Sequence, residues 1–384
     1  MDSSRKISGI LFLACLLLAV ALVLYIRFGA DSNRECTIAG EVLPFKHSAL
    51  LSVVDCDGYS VADVKNPWGD GLLRRYILVP KNAELPGDLP EGVILRTPLE
   101  RVVVFSGVHA AMLEELGAGG AVVGVCDAEY IYTPMTAAGL RSGRVVDCGS
   151  SVNVDSERLL VAAPEAVFVL PYENGGYGKL ERFGIPLVEC ADYMETSPLA
   201  CAEWIRFYGR LVGKGNEADS IFSSVAFEYE ELAGLVSCVE ERPKLLCELK
   251  SSSAWYVPGG GSTMGRMYAD AGADYAFASY GSSGSVPLAF EVVLDKAADA
   301  DVWLIKYNSS VDKTYSSLIG EYAGYSHFKA FKSRNIYVCN CAEKRLFEER
   351  TFHPEKLLKE LVALFHPSLL PDYRPRYYEK MRLE

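Results

Sequence analysis

The proline-free segment 199–241 constrains the fold most, because two regions with a different pattern flank it. Its large apolar residues recur near helical spacing, and they are Trp204, Phe207, Leu211, Ile221, Phe222, Val225 and Tyr229. This periodicity predicts a long connector helix with a break near Gly213 and Gly215. On both sides, short apolar runs alternate with helical stretches, which is typical of βα units that form largely parallel sheets. The sequence therefore predicts an α/β fold, with two lobes joined by a single long α-helix and a ligand cleft between them.

The first lobe is predicted over residues 97–198 and the second over residues 242–345. First-lobe strands are expected at 101–105, 121–125, 166–170 and 186–190, and helices at 109–116, 155–162 and 177–183. Second-lobe strands are expected at 244–249, 302–305 and 335–338, and helices at 264–271 and 290–297. Open α/β sheets bind ligands beyond the carboxyl ends of their strands, so functional residues should lie in the loops that follow these strands.

The two remaining regions carry weaker patterns. Residues 31–96 contain several proline and glycine breakers and one convincing strand, 75–79, which predicts an irregular amino-terminal subdomain. Residues 346–384 form the carboxyl-terminal part of the chain. There the amphipathic stretch 353–365 predicts a last helix, and residues 367–384 are expected to form a loosely ordered tail.

The amino terminus carries a membrane or export signal. Residues 10–26 form an apolar run, which two basic residues precede. Its length suits a membrane anchor or signal segment over residues 1–30, so the rest of the chain is expected to be exported. Three fates stay open for this segment, namely a retained anchor, lipidation at Cys15, or cleavage near Ala30.

An exported chain with eleven cysteines invites a search for disulfides. The pair Cys36 and Cys56, both in the polar amino-terminal region, is the first candidate for a bridge. Cys339 and Cys341 have one residue between them and no second such pair, which disfavours a structural zinc site. Four others lie in or beside apolar runs and are expected to pack as small core residues: Cys126, Cys148, Cys190 and Cys247.

Several stretches, in this order and spacing, resemble the class III periplasmic substrate-binding proteins of siderophore, heme and cobalamin ABC importers. They are residues 101–117, 163–168, 183–188, 195–205, 256–262, 271–274, 290–294 and 300–305. The resemblance covers roughly residues 97–370. It implies two Rossmann-like lobes on the periplasmic side of the cell envelope, with no catalytic activity and no resident cofactor. It further implies that an iron complex, either a ferric siderophore or heme, or else cobalamin, is delivered to an ABC permease with its ATPase.

The resemblance also implies that one carboxylate at the top of each lobe docks on arginines of the permease. Glu291 matches the second-lobe position. In the first lobe the loop after the strand at 166–170 is shorter than in cobalamin-binding members, so Glu173 and Glu203 both stay candidates.

Aromatic residues are the main candidates for ligand contact, because flat rings suit a macrocycle or an aryl-bearing siderophore. His109 follows the first strand of the lobe and is a candidate axial ligand at the mouth of the cleft. Arg266 would complement an anionic ligand. The aromatic candidates are Tyr130, Tyr132, Tyr172, Tyr177, Trp255, Tyr256 and Tyr280.

Composition and motifs argue against other functions. A net charge of −12 disfavours nucleic acid as a partner. The other four histidines are scattered, which disfavours a bare transition-metal site. Gly260 and Gly265 have the outer spacing of a phosphate loop, but Arg266 stands where lysine is required. The alternatives that stay open are a tetrapyrrole chelatase on the same scaffold and a sensory module that reports the ligand.

Overall fold

An amino-terminal sheet precedes the two lobes in the computed structural model, which describes residues 38–384. Its strands are β1 (Glu41–Val42), β2 (Leu51–Cys56), β3 (Tyr59–Lys65), β4 (Leu72–Pro80) and β5 (Val93–Thr97), paired in chain order. The prediction of an irregular subdomain was therefore wrong. The breakers lie in the connecting loops, and Asp57 and Gly58, with φ +82° at Gly58, form the tight turn between β2 and β3.

The first lobe is built on a five-stranded parallel sheet of order β12-β11-β6-β7-β8. These strands are β6 (Val102–Val104), β7 (Val122–Val125), β8 (Val146–Asp147), β11 (Ala166–Val169) and β12 (Leu187–Glu189), and β9 (Gly149–Ser150) pairs with β10 (Asn153–Val154). The helices are α1 (Gly107–Glu115), α2 (Pro134–Ser142) and α3 (Ser156–Ala162). The inner strands are apolar and buried, as expected of parallel strands covered on both faces. The helix predicted at 177–183 is only the 3₁₀ turn Leu180–Phe183, because glycines interrupt the preceding segment.

The connector contains three consecutive helices, α4 (Pro198–Glu203), α5 (Ile205–Leu211) and α6 (Gly215–Val236). The 22 residues of α6 form the predicted long helix. The predicted break is confirmed, since Gly213 has φ +70° between α5 and α6. Gly209 lets these two helices approach closely, because a Cβ there would lie 2.4 Å from the Ala218 Cβ. The connector is therefore a packed core element as well as a link between lobes.

The second lobe repeats the architecture with a sheet of order β16-β13-β18-β19-β20, parallel except at β20. Its strands are β13 (Lys244–Cys247), β16 (Asp274–Tyr275), β18 (Val302–Tyr307), β19 (Ile336–Asn340) and β20 (Glu379–Lys380), beside a small antiparallel sheet of β14 (Lys250–Ser251), β15 (Ala254–Pro258) and β17 (Ser285–Leu288). Its helices, including those of the carboxyl-terminal region, are α7 (Thr263–Asp270), α8 (Phe290–Ala297), α9 (Tyr315–Glu321), α10 (Lys329–Lys332), α11 (Leu346–Arg350) and α12 (Pro354–Phe365).

The carboxyl-terminal tail is ordered by one buried carboxylate, so the prediction of a loose end was wrong. Glu360 on α12 accepts hydrogen bonds from the backbone N–H groups of Arg376, Tyr377 and Tyr378. Both tyrosines are buried, and the next residues form β20 on the edge of the second-lobe sheet. The sequence did not predict this order, because a glutamate such as Glu360 in an amphipathic helix is expected to lie on the surface.

Two further buried carboxylates attach the amino-terminal sheet to the connector. Glu203 accepts hydrogen bonds from the backbone N–H groups of residues 46–48 at 2.8 to 2.9 Å. Glu195 accepts from the N–H groups of Ala49 and Leu50 at 3.1 Å and from the Trp204 indole at 3.0 Å. The loop before β2 is thus held by side chains from another part of the chain, because its own backbone donors lack strand partners.

Cysteine packing agrees in part with expectation. The four cysteines predicted in the core are buried, which confirms that prediction. None of the nine cysteines between residues 38 and 384 forms a disulfide with another cysteine of that range. Cys36 and the anchor or signal segment predicted at 1–30 lie outside the described residues. Within residues 38–384, no helix combines the length and apolarity needed to span a bilayer.

Replacement of Glu203 by glutamine tests the attachment of the amino-terminal sheet. The amide would turn N–H donors toward backbone donors, so we expect the free energy of unfolding in urea to fall by about 2 kcal/mol. Glu231→Gln, at an exposed position of α6, is the control and should change stability by less than about 0.5 kcal/mol. Equal stabilities of the two variants would contradict the attachment.

Candidate ligand-binding site

A cavity of about 590 Å³ lies at the carboxyl edge of the first-lobe sheet. Phe105 follows β6 and Leu170 follows β11, so two walls come from the strand ends where α/β folds bind ligands. The volume lies within the range typical of small-molecule sites. Its apolar and aromatic lining consists of Phe105, Val152, Val154, Leu170, Tyr172, Tyr177 and Leu180. Val152 is 95% exposed and Tyr172 57%, so the rim opens to solvent.

The loop after β11 shapes one side of this cavity. The Tyr172 hydroxyl donates to the Gly176 carbonyl at 3.0 Å, and the Tyr172 and Tyr177 rings meet edge to face with centroids 6.5 Å apart. Gly175 is required here, because a Cβ would lie 2.1 Å from the Tyr172 ring. The Tyr177 N–H donates to Glu181 at 2.9 Å. The loop is therefore held in shape by its own contacts before any ligand arrives.

Polar groups at the cavity are few and chemically mixed. Ser156 supplies a hydroxyl and Asn153 an amide, and Lys179 is the cation among the lining residues. The Ser151 hydroxyl already donates to the Asp127 carboxylate. Burial, reinforced by the charge of Glu189, raises the pKa of Tyr177, so its phenol stays protonated. Tyr177 therefore offers a flat wall and a hydrogen-bond donor, whereas a phenolate ligand for iron is disfavoured at this position.

A groove of about 320 Å³ lies between the lobes, where α11 packs near α1. Glu114 and Glu115 line it on the first lobe, and Arg345, Glu348 and Phe352 line it on the other side. Burial raises the pKa of Glu348. Carboxylates dominate this groove, so it suits a flat apolar ligand less well than the first-lobe cavity does.

Two predicted first-lobe tyrosines, Tyr172 and Tyr177, line the cavity together. Tyr130 and Tyr132 lie outside it, in the loop after β7, and are 56% and 41% exposed. His109 was predicted at the mouth of the cleft, and this placement is wrong. Its imidazole is 1% exposed, and Nε2 lies 3.0 Å from Asp192 Oδ1, because an acidic partner inside the lobe draws the ring inward.

The second-lobe candidates are dispersed. Trp255 is fully buried, stacks on Trp303 with centroids 5.7 Å apart and donates to the Cys247 carbonyl, which contradicts its predicted ligand contact. Tyr256, the next residue of β15, is half exposed because alternate strand residues face opposite sides. Arg266 is exposed on α7, and Tyr280 is half-buried with the Lys296 ammonium 5.4 Å from its ring centroid. None of these residues lines the first-lobe cavity.

The three predicted docking carboxylates differ in exposure. Glu173 lies exposed in the loop beside the cavity, and Glu291 lies exposed in the first turn of α8. Glu203 is 0% exposed and its oxygens are saturated by the loop before β2, so its predicted docking role is wrong. A glutamate on a helix is exposed only where no other segment covers that helix, and here the loop before β2 covers Glu203.

Sequence reasoning missed several lining residues, and part of the signal was available. Phe105 and Leu170 are the first residues after β6 and β11, which are the positions where ligands approach parallel sheets. Lys179 follows a glycine-rich loop. Val152 lies in the turn of the small β9-β10 hairpin and Val154 in its second strand, and this hairpin had no visible pattern because each strand has two residues.

The family model described as a periplasmic binding protein matches residues 102–341, more than half of the chain. The chain belongs to this family, which confirms the resemblance seen in its sequence and supports a role as the substrate-binding component of an ABC transporter. Two uncharacterized lipoproteins of Methanocaldococcus jannaschii are similar to it. One is 24% identical and aligns over 82% of this chain and 78% of its own length, and the other is 25% identical over 85% and 83%.

Solved structures show the same two-lobed α/β fold. A periplasmic heme-binding protein from Pseudomonas aeruginosa aligns with a TM-score of 0.58 at 17% identity, over 74% of this chain and 100% of that chain. The periplasmic heme-binding protein RhuT from Roseiflexus sp. RS-1 has a TM-score of 0.55 at 22% identity, over 70% and 99%. A Fe³⁺-hydroxamate transport system structure from Saccharomonospora viridis has a TM-score of 0.55 at 20% identity, over 70% and 94%.

A histidine between two carboxylates closes one side of the interlobe groove and predicts a pH dependence. His353 Nε2 lies 2.7 Å from Glu115 of α1, and Nδ1 lies 2.8 Å from Glu355 of α12. Burial lowers the pKa of His353, but the hydrogen bonds and charges of Glu115 and Glu355 outweigh this effect. The pKa is therefore raised to about 9. The other charged groups near Glu115 are Lys356 and Glu349.

The pKa of His353 in the folded chain lies above its unfolded value of 6.5. The stabilisation that its two ion pairs give to the folded chain is therefore complete below pH 6.5 and is lost as pH rises through 9. We expect it to contribute about 1 to 3 kcal/mol to the free energy of unfolding, reduced by the partial exposure of Glu115. Urea unfolding from pH 6 to 10 measures it. His353→Gln should remove this part of the pH dependence, and an unchanged profile would contradict the assignment.

Proposed function

We propose that this chain captures an iron complex, either a ferric siderophore or heme, or else cobalamin, and passes it unchanged to an ABC permease with its ATPase. The observation that carries the proposal is the aromatic-walled cavity at the carboxyl ends of β6 and β11. Membership of the periplasmic binding protein family supports the transport role. The metal complex is then the cargo of the protein and not a resident cofactor, and the protein binds it without turnover.

The chemistry of the cavity supports a ligand with a flat or aryl-bearing body and a polar edge. Tyr172 and Tyr177 present rings at about right angles, with 78° between their planes, so one ring can stack on a planar ligand while the other meets its edge. Lys179 would pair with an anionic edge, such as a heme propionate or a catecholate oxygen. The solved heme-binding proteins and the Fe³⁺-hydroxamate transport protein share this fold, which agrees with such cargo.

We also propose that the protein works outside the cytoplasm, tethered to the membrane by residues 1–30. Two relatives are named lipoproteins, which supports a membrane-associated location. A tethered binding protein stays near its permease, so the effective concentration for transfer is high even when docking is weak. Retention of the apolar segment and lipidation are alternative ways to achieve this.

Docking on the permease is proposed to use Glu173 and Glu291. Both carboxylates are exposed, and they lie on different lobes, so together they would fix the orientation of the protein. Glu173 also belongs to the loop that shapes the cavity. Contact at this loop would therefore link docking with ligand release.

Replacement of Tyr172 by alanine tests the ligand site. We expect the dissociation constant of the bound cargo to rise by about tenfold, since loss of one aromatic contact costs about 1 to 2 kcal/mol. The measurement is absorbance or calorimetric titration with hemin, cobalamin, a ferric hydroxamate and a ferric catecholate. Mass spectrometry of the released ligand checks that it is unchanged.

The matched control is Tyr130→Ala, since Tyr130 is 56% exposed against 57% for Tyr172 and lies outside the cavity. It should change the dissociation constant by less than about twofold. A larger effect at Tyr130 than at Tyr172 would move the site away from the cavity. If none of the four ligands binds, the proposal that the protein captures an iron complex or cobalamin is contradicted.

Charge reversal tests docking separately from capture. We expect Glu173→Arg and Glu291→Arg each to lower uptake of the cargo in cells several-fold, because like charges would face the permease arginines. Ligand affinity should stay within about twofold for Glu291→Arg, which lies away from the cavity. Glu231→Arg on α6 is the control for altered net charge. Unimpaired uptake in both docking variants would exclude this docking mode.

A further inference from the structure

Three potential metal ligands meet inside the first lobe, away from the cavity. They are His109 of α1 and, after the end of β12, Cys190 and Asp192. The imidazole nitrogen, the thiol sulfur and a carboxylate oxygen all lie within 4.8 Å of one another. The three residues are 1%, 0% and 2% exposed, so water has little access to them. No residue of this group lines the cavity.

The fold fixes each donor by local contacts. The Cys190 N–H donates to the Val169 carbonyl at 2.9 Å, which continues the pairing of β12 with β11. Asp192 begins the 3₁₀ turn Asp192–Met194, and its carbonyl accepts from the Glu195 N–H. His109 lies in the first turns of α1, which the Ser106 side chain caps. Donors 83 positions apart in sequence therefore converge because β12 and α1 border the same end of the sheet.

Aromatic rings surround the three donors. The ring centroid of His109 lies 5.3 Å from that of Tyr208 and 6.4 Å from those of Phe168 and Phe352. The Tyr208 hydroxyl donates to Asp192 Oδ1 at 2.5 Å, which orients the carboxylate. These rings come from β11, from α5 of the connector and from the segment after α11. The cluster is thus at the junction of the first lobe, the connector and the carboxyl-terminal region.

We propose that His109, Cys190 and Asp192 bind a zinc ion that stabilises this junction. Imidazole nitrogen, thiolate sulfur and carboxylate oxygen are the three ligand types of protein zinc sites, and one bound water molecule would complete the usual four-coordinate shell. The thiolate and the carboxylate together balance the charge of Zn²⁺, so the buried site is neutral overall. The Tyr208 hydroxyl would hold the Asp192 carboxylate in place through its hydrogen bond, as hydrogen-bond partners of metal ligands do in other metal sites.

Binding replaces protons by the metal. The Cys190 thiol, which lies 3.5 Å from the Val188 carbonyl, loses its proton. The His109 imidazolium loses the proton on Nε2 and keeps the one on Nδ1, so it binds as a neutral imidazole. Both released protons pass to solvent as the Zn–S and Zn–N bonds form. Zinc bonds of about 2.0 to 2.3 Å place donor atoms roughly 3.3 to 3.8 Å apart. The present separations, at most 4.8 Å, require only a small inward movement of these side chains.

The test uses the full-length chain, treated with a chelator and then titrated with Co²⁺ as a spectroscopic probe. The proposal predicts one Co²⁺ per chain, a near-ultraviolet thiolate-to-cobalt charge-transfer band, and displacement by one equivalent of Zn²⁺. Zn²⁺ should also raise the melting temperature, since it binds only the folded chain. Cys190→Ser should abolish the band and weaken Zn²⁺ binding by more than about 100-fold.

The matched control is Cys341→Ser, because Cys339 and Cys341 are also buried with sulfurs 4.0 Å apart. It should keep the band. Absence of Co²⁺ and Zn²⁺ binding by the natural sequence would overturn the proposal, as would a band that survives Cys190→Ser. If Cys190→Ser does not fold, X-ray absorption of the zinc-loaded natural chain decides. One sulfur with nitrogen and oxygen ligands supports the site, whereas two sulfurs or none contradict it.

Discussion

Buried carboxylates on the segment 195–203 hold the parts of this protein together. Glu195 and Glu203 bind the loop that leads into the amino-terminal sheet through five backbone N–H groups. The same segment meets the second lobe, since the Thr263 hydroxyl donates to the Glu195 carbonyl at 2.9 Å. Buried charges are tolerated only when such donors satisfy them, so this segment fixes three regions at once.

That constraint bears on how the protein would capture a ligand. The 22-residue helix α6 links the lobes, and α11 packs against α1 of the first lobe. A junction clamped at both places leaves little freedom for large hinge closure. Recognition is then expected to depend on a preformed cavity and on side chains of the loop 171–179. Rings that are already positioned lose less entropy on binding than mobile ones do.

The sequence predicted the central strands of both parallel sheets, because buried parallel strands are short apolar runs such as Val102–Val104. It missed the helices α2 and α9 and the small antiparallel sheet of β14, β15 and β17. It did not predict which way side chains point at strand ends. His109 faces inward because of Asp192, 83 positions away, and Trp255 is buried by stacking on Trp303. Such partners come from distant segments, and periodicity contains no information about them. Two of the tyrosines that line the candidate cavity, Tyr172 and Tyr177, were predicted, whereas the location of this cavity on the first lobe alone was not.

The central claim is that cargo binds in the first-lobe cavity. Hydrogen–deuterium exchange, measured with and without hemin, cobalamin or a ferric siderophore, tests it most directly. Slower amide exchange on binding is expected at residues 150–156 and 170–180, which line the cavity. Slower exchange confined to residues 345–353 beside the interlobe groove, with none in the two cavity segments, would contradict the account.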